Sequence, residues 1–200
     1  MAIKVEKTFR VDEPVEKVWA FLSDPRKVAA CMPGAQITEQ VDDHTYKGAI
    51  KVKVGPSVTD FKGELQVLRL DGQAHEIEIL GKGQDVRGKG SAGMKMTGKL
   101  HAVDGGTEVS SVAELNVVGI LAQMGARVIN QVNDIMFEQF VNNFRQQLRG
   151  GALPEGISAD VKPISAMGVA FSALKAAVKK HPESEAKPAA DTTKENSGTN

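Results

Sequence analysis

The sequence predicts an α+β protein in which a strongly curved, seven-stranded antiparallel sheet closes around one long C-terminal helix. Three observations predict it. Leu121, Met124, Val128, Val132, Ile135/Met136, Phe140, Phe144 and Leu148 recur at three- and four-residue steps, the period of one helix face. Almost everything before that helix alternates apolar and polar residues between turn dipeptides. Several inward positions are glycine or alanine, which let a sheet bend and leave room on its inner side.

Residues 3–11 alternate in part (Ile3, Val5, Phe9, Val11) and form the expected first strand. Asp12 is the expected cap of a short helix with Pro14 in its first turn and Val15, Val18, Trp19 and Leu22 on its inner face. Asp24-Pro25 repeats the signal for a second short helix over residues 25–31, which Met32-Pro33-Gly34 ends. Strands follow over residues 35–41 and 44–54. The second of these sends Tyr46, Gly48, Ile50, Val52 and Val54 one way and Lys47, Lys51 and Lys53 the other. Gly55-Pro56 turns it. Residues 58–70 put Phe61, Leu65 and Val67 inward, and Asp71-Gly72 is a hairpin signal. Residues 74–83 put Ile77 and Ile79 inward, and residues 86–103 do the same with Gly88, Gly90, Ala92, Met94, Met96 and Leu100. After Asp104-Gly105-Gly106, residues 107–118 direct Val109, Ser111, Ala113, Leu115 and Val117 inward. The helix over residues 120–148 has no proline, presents Arg127, Asp134 and Glu138 to water, and stops at Gly150-Gly151.

The expected organisation is a ligand-binding domain over residues 1–149, a flexible linker over 150–163, an amphipathic helix over 164–180 and a disordered tail over 181–200. In the third segment Ile164, Met167, Phe171, Leu174 and Val178 share a face, and Lys175, Lys179 and Lys180 close it. That helix is too short to span a bilayer. It suits an anionic membrane surface, a partner, or the domain's own surface.

The formal net charge is +0, and no aromatic residues interleave the basic ones on the strands, which excludes a nucleic-acid face. A single cysteine, Cys31, cannot form an internal disulfide, which fits a reducing compartment. The charged start, Met1-Ala2-Ile3-Lys4-Val5-Glu6, does not read as a signal peptide, and no run of apolar residues reaches membrane-spanning length. A cytoplasmic protein, peripherally associated with the inner face of the cell membrane, is the expected setting.

Gly88-Lys89-Gly90-Ser91-Ala92-Gly93 spells a dinucleotide fingerprint, but Met94-Lys95-Met96-Thr97 continues strand alternation where a helix is required. His44, His75, His101 and His181 lack partners at metal-ligand spacing, so no metal site is expected. Nothing near Cys31 in sequence would activate it, and a half-buried structural thiol is expected. Inward polar groups are few (Ser111, Tyr46, Glu39), and no convergent acid–base pair is present, so no catalytic residues are assigned. A binding protein is favoured over an enzyme. Its apolar cavity is expected to be lined by Trp19, Met32, Tyr46, Ile50, Phe61, Leu65, Ile77, Ile79, Met94, Met96, Leu115, Val117, Met124, Val128 and Val132. Glycines that serve only curvature and methionines that fill a solid core are the competing reading. The expected entrance is the rim of Pro33, Gly34, Gly55, Pro56, Gly119, Leu121 and Gly125.

The order strand, two short helices, meander, long helix resembles the helix-grip SRPBCC (START-like, pollen-allergen-like) superfamily. Within it the chain resembles the carbon monoxide dehydrogenase G-subunit family, CoxG. The resemblance rests on Ala30-Cys31-Met32-Pro33-Gly34-Ala35, Lys53-Val54-Gly55-Pro56, Phe61-Lys62-Gly63, Gly119-Ile120-Leu121-Ala122-Gln123-Met124-Gly125-Ala126-Arg127, and the pair Phe137 and Phe140. It implies a non-catalytic accessory protein that carries a respiratory quinone (menaquinone or ubiquinone) or similar prenyl lipid. That carriage would link a carbon monoxide dehydrogenase-type molybdenum hydroxylase, or its assembly factors, to the membrane electron-transport chain. A recruitment adaptor without ligand, and a hydrolase or cyclase of the kind found elsewhere in the superfamily, are the alternatives.

Overall fold

The computed structural model describes residues 1–54, 57–151 and 159–161. Strand β1 (Ala2–Val11) leads into helices α1 (Val15–Leu22) and α2 (Pro25–Cys31). The meander then runs β2 (Ala35–Gln40), β3 (Thr45–Val54), β4 (Ser57–Asp71), β5 (Glu76–Asp85), β6 (Gly90–Val103) and β7 (Gly106–Gly119). Helices α3 (Ile120–Gln123) and α4 (Ala126–Leu148) follow, and a short strand β8 (Ala159–Val161) lies within the segment read as a linker. The strand order is β1-β7-β6-β5-β4-β3-β2, with every neighbour antiparallel. Short turns between consecutive strands dictate that order, and β1 closes the far edge by pairing with β7. β8 pairs in parallel with Val52–Val54, beyond the end of β2.

The seven strands and two early helices lie where alternation and turn residues put them, and four details differ. The long helix is not continuous. Gly125 adopts φ 82 and ψ 158, a conformation open almost only to glycine, and this separates α3 from α4. Asp12 does not cap α1; Pro14 holds the N-cap position and no side chain caps the helix. Asp24 does cap α2, accepting from the Arg26 backbone N–H at 2.9 Å. Strand β6 begins at Gly90, because Asp85 is buried and its Oδ1 accepts from the Arg87 and Lys89 backbone N–H groups, so residues 86–89 turn and Gly88 (φ 71) is not an inward strand position. A bulge between Ile37 and Glu39 rotates Glu39 to the outer face, where it pairs with Lys47 at 3.1 Å; Glu39 is not an inward polar group.

The closed core gathers at one end of the sheet. Val11, Val18, Cys31, Leu100, Val109, Phe140, Val141, Phe144 and Leu148 form one buried cluster, joined by Phe9, Phe21, Trp19, Met32 and Phe137. Phe144 is fully buried and meets Phe9 and Phe21 edge-on at 5.8 and 5.1 Å and Phe140 face-on at 5.9 Å. These contacts bind the C-terminal half of α4 to β1, α1 and the adjoining ends of β6 and β7. Cys31 is completely buried rather than half-buried, and burial pushes its thiol up to about 11.

Candidate functional site

The register arranges the inward side chains in rows that cross the sheet. One row runs Tyr46–Leu65–Gly81–Met94–Leu115–Ile3, and the next runs Val67–Ile79–Met96–Ala113–Val5. The row nearer the open end reads Gly48–Gly63–Gly83–Ala92, so four neighbouring strands there carry at most a methyl group. Two of these glycines are required by backbone approach. A Cβ on Gly63 would collide with the Lys82 carbonyl, and one on Gly48 would lie 2.7 Å from the Gln36 carbonyl oxygen. The row therefore serves curvature and also leaves a trough.

The structure brings Tyr46, Leu65, Ile77, Ile79, Met94 and Met96 into a second apolar cluster, with Val67 and Ile37. No residue of α4 belongs to it. Ile50 and Phe61 lie side by side on β3 and β4, and Val117 lies beside Ala92. Leu65, Ile77, Met94, Met96, Ile50 and Leu115 point inward yet stay half-buried, and so do Val128 and Val132 on the facing half of α4 and Met124 before it. Inward apolar groups that remain half-exposed on both walls mean that the helix does not close onto the sheet here. Trp19 and Met32 belong instead to the closed core, with the Trp19 ring 5.4 Å from the His75 ring and tilted 55° to it.

At the expected entrance Pro33 is fully buried, Gly34 and Gly119 have φ of 76 and 84, and Leu121 is half-buried. Gly55 and Pro56 lie outside the described residues, as do Met167, Phe171, Leu174, Lys175, Val178, Lys179 and Lys180 with the whole of the expected amphipathic helix and tail.

The polar groups on the inner face are held by other parts of the fold. The Tyr46 hydroxyl donates to the Asp43 carbonyl at 3.3 Å and Ser111 donates to the Lys7 carbonyl at 3.5 Å. They stand on β3 and β7, separated by β4, β5 and β6, so they do not form one cluster. Lys7 is not among the expected inward groups, although strict alternation from Ile3 to Val11 would place it there. Its ammonium pairs with Asp134 of α4 at 2.6 Å and lies 5.4 Å from the Phe137 ring centre, joining sheet to helix at the border between core and open face. Among the described residues no group of His, Cys, Asp and Glu is arranged to hold a metal. A separate groove of about 940 Å³ lies on the outer face, where Lys47, Lys62, Glu64, Lys82, Ser91 and Asn116 border it.

The sequence profile of the carbon monoxide dehydrogenase G-subunit (CoxG) family matches residues 8–149. No curated protein matches the chain in sequence. Among solved structures, a conserved protein from Geobacillus kaustophilus superposes with a TM-score of 0.67 at 17% identity, covering 74% of this chain and 96% of that one. The ZhuI aromatase/cyclase from Streptomyces sp. R1128 gives a TM-score of 0.55 at 15% identity, with 76% and 100% covered. Ara h 8.0201 gives 0.51 at 13% identity, with 76% and 100% covered. At these identities the likenesses show the fold alone, the START-like and pollen-allergen-like helix-grip fold. None of the described helices is long and apolar enough to cross a membrane.

Proposed function

The chain belongs to the carbon monoxide dehydrogenase G-subunit (CoxG) family, and on that premise we propose that it is an accessory protein whose open inner face holds a respiratory quinone or similar prenyl lipid. In that role it would link a carbon monoxide dehydrogenase-type molybdenum hydroxylase to membrane electron transport. The observation that carries the reading is the pair of half-exposed apolar walls, made by Leu65, Ile77, Met94, Met96 and Leu115 on the sheet and Val128 and Val132 on α4. Flexible methionines and unbranched space at Gly81 and Gly83 suit a long, irregular, apolar ligand. The site offers such a ligand apolar contact and water exclusion. Tyr46 and Ser111 are each committed to a backbone carbonyl and stand four strand positions apart, and the Lys7–Asp134 ion pair at the border of the face joins sheet to helix.

The test is organic extraction of the purified full chain followed by mass spectrometry, with equilibrium binding of menaquinone and ubiquinone in detergent. A prenyl quinone recovered in stoichiometric amount, and saturable binding weakened by Met94→Asp, is the expected result. No recovered lipid and no saturable binding would leave a recruitment adaptor without ligand as the better reading.

A further inference from the structure

We propose that Lys7 is the polar anchor of the open inner face. Its ammonium donates a hydrogen bond to an uncharged carbonyl oxygen at the head of an amphipathic ligand, and the ligand's apolar chain runs from there along the trough to the open end. The inference rests on the proposed apolar ligand site and adds the head-group class and the orientation of what that site holds.

The inner face is apolar or small almost throughout. Among the described residues, Lys7 and Asp85 are the charged side chains at inward strand positions. Asp85 is buried and already engaged by the turn that follows it, through the Arg87 and Lys89 backbone N–H groups. Lys7 is different. An ammonium carries three donors. One reaches Asp134 Oδ1 at 2.6 Å, and no other acceptor among the described residues takes the remaining two. The Lys7 side chain is 25% exposed, so it is largely withdrawn from water with donors to spare.

Its level in the fold gives it a place in the site. The row Lys7–Ser111–Gly98–Ile77 separates the closed row Phe9–Val109–Leu100 from the open row Val5–Ala113–Met96–Ile79. Gly98 has no side chain and the Ser111 hydroxyl is turned to the Lys7 carbonyl, so neither supplies the ammonium with a hydrogen bond. On α4 the change falls at the same place. Val132 precedes Asp134 on the half-exposed wall, and Phe137, packed on Phe9, follows it against the closed core. The ammonium therefore stands at the inner end of the trough. From Lys7 back to Ala2, β1 runs roughly 17 Å at about 3.4 Å per residue, lined by Val5 and Ile3.

Charge selects the head group. Asp134 already neutralises Lys7, so an added carboxylate would leave this end with a net negative charge, whereas a carbonyl oxygen takes a spare N–H without that penalty. Holding helix to sheet does not by itself call for the pair, because apolar residues of similar volume often do so with no loss of stability.

The experiment is equilibrium binding to the full chain, in detergent, of menaquinone and of three saturated chains of one length: a methyl ketone, the alkane and the fatty acid. Lys7→Met keeps most of the side-chain length and removes its donors, and it leaves Asp134, 57% exposed, in contact with water. It should weaken the ketone and menaquinone about ten-fold, the loss of one charge-assisted hydrogen bond, and leave the alkane unchanged. Asp134→Asn should raise fatty-acid affinity about ten-fold and leave the ketone unchanged. Native circular dichroism and retained alkane binding establish that each variant is folded with its trough intact. A ketone loss no larger than the alkane loss in Lys7→Met, tighter binding of the fatty acid than of the ketone by the wild type, or no ketone binding by the wild type would overturn the inference. Menaquinone bound by the wild type and unaffected by Lys7→Met would overturn it while leaving the carrier reading standing. Ketone bound through Lys7 with no binding of menaquinone would do the reverse.

Discussion

Met96→Trp separates an open inner face from a filled core. Met96 points inward from β6 between Ile79 on β5 and Ala113 on β7, and it is half-buried with no residue of α4 in its cluster. Overpacking a filled interior by this much volume costs roughly 1–3 kcal/mol. At about 2–4 °C per kcal/mol for a chain of this size, that is a fall in Tm of about 2–12 °C. If the space beyond Met96 is open, the indole extends into it, its ring replaces water-exposed methionine surface, and stability changes by about 0.5 kcal/mol or less. Phe144→Ala calibrates the scale, because Phe144 is fully buried among Phe9, Phe21 and Phe140, and such deletions cost about 3–5 kcal/mol. Urea denaturation followed by circular dichroism measures both. Quinone binding by the Met96→Trp protein should fall at least ten-fold, since the indole fills the trough. A Met96→Trp cost above 1 kcal/mol with quinone binding intact would refute the argument, because it would show the position packed and the ligand elsewhere.

Other outcomes follow from single residues. Gly63→Ala should cost about 1–3 kcal/mol in urea denaturation, because its Cβ meets the Lys82 carbonyl, which cannot move without breaking the β4–β5 ladder. Gly125→Ala meets nothing within 4 Å, so its expected loss of about 1–3 kcal/mol is purely conformational, and an unchanged Tm would show that the break before α4 is not imposed by the backbone. Cys31, with its thiol pushed up to about 11 by burial, should resist thiol reagents at pH 8 in the native state and react fully in urea. Asp71 is held below its ordinary value of 3.8 by the Ala74 backbone N–H and then Arg69, and Glu76 below 4.5 by Lys99. Groups depressed in the folded state stabilise above their unfolded values and lose that contribution as pH falls through the folded ones, so the β4–β5 hairpin should weaken below about pH 4. Asp71→Asn should flatten that acid limb in a pH–Tm series.

Much of the architecture was legible because alternation and turn chemistry act locally. Asp24-Pro25, Asp71-Gly72 and the run from Tyr46 to Val52 each specify their own segment whatever surrounds them. The misread positions have causes that a period cannot carry. The apolar repeat runs unbroken through Gly125, so only its dihedral angles reveal the separation of α3 from α4. Asp85 ends β5 by capping backbone N–H groups two and four residues ahead, a local bond that takes residues 86–89 out of the strand pattern. Glu39 changed face because one extra residue in β2 shifts parity, and nothing in the composition of that strand signals a bulge.

The site was legible in direction but not in occupancy. Alternation says that Met94 and Met96 face inward; it cannot say whether anything lies opposite them. That depends on where α4 rests, and its placement is decided at the other end of the molecule. Phe137, Phe140, Val141, Phe144 and Leu148 crowd the C-terminal part of α4, and Phe9, Phe21, Val18 and Cys31 receive them there. Lys7 and Asp134 pin the helix at mid-length. With its aromatic contacts thus concentrated, α4 has only Val128, Val132 and similar medium side chains in its N-terminal half, and the inner face of the sheet carries glycine and alanine on four strands. Medium side chains on the helix and residues with at most a methyl group on the sheet do not fill the gap that a helix on a sheet leaves. The open face is therefore a consequence of where the phenylalanines are, and exchanging Val128 and Val132 for phenylalanine should close it. That double variant should gain stability in urea while losing quinone binding; a change in neither quantity would mean that the inner wall was already complete.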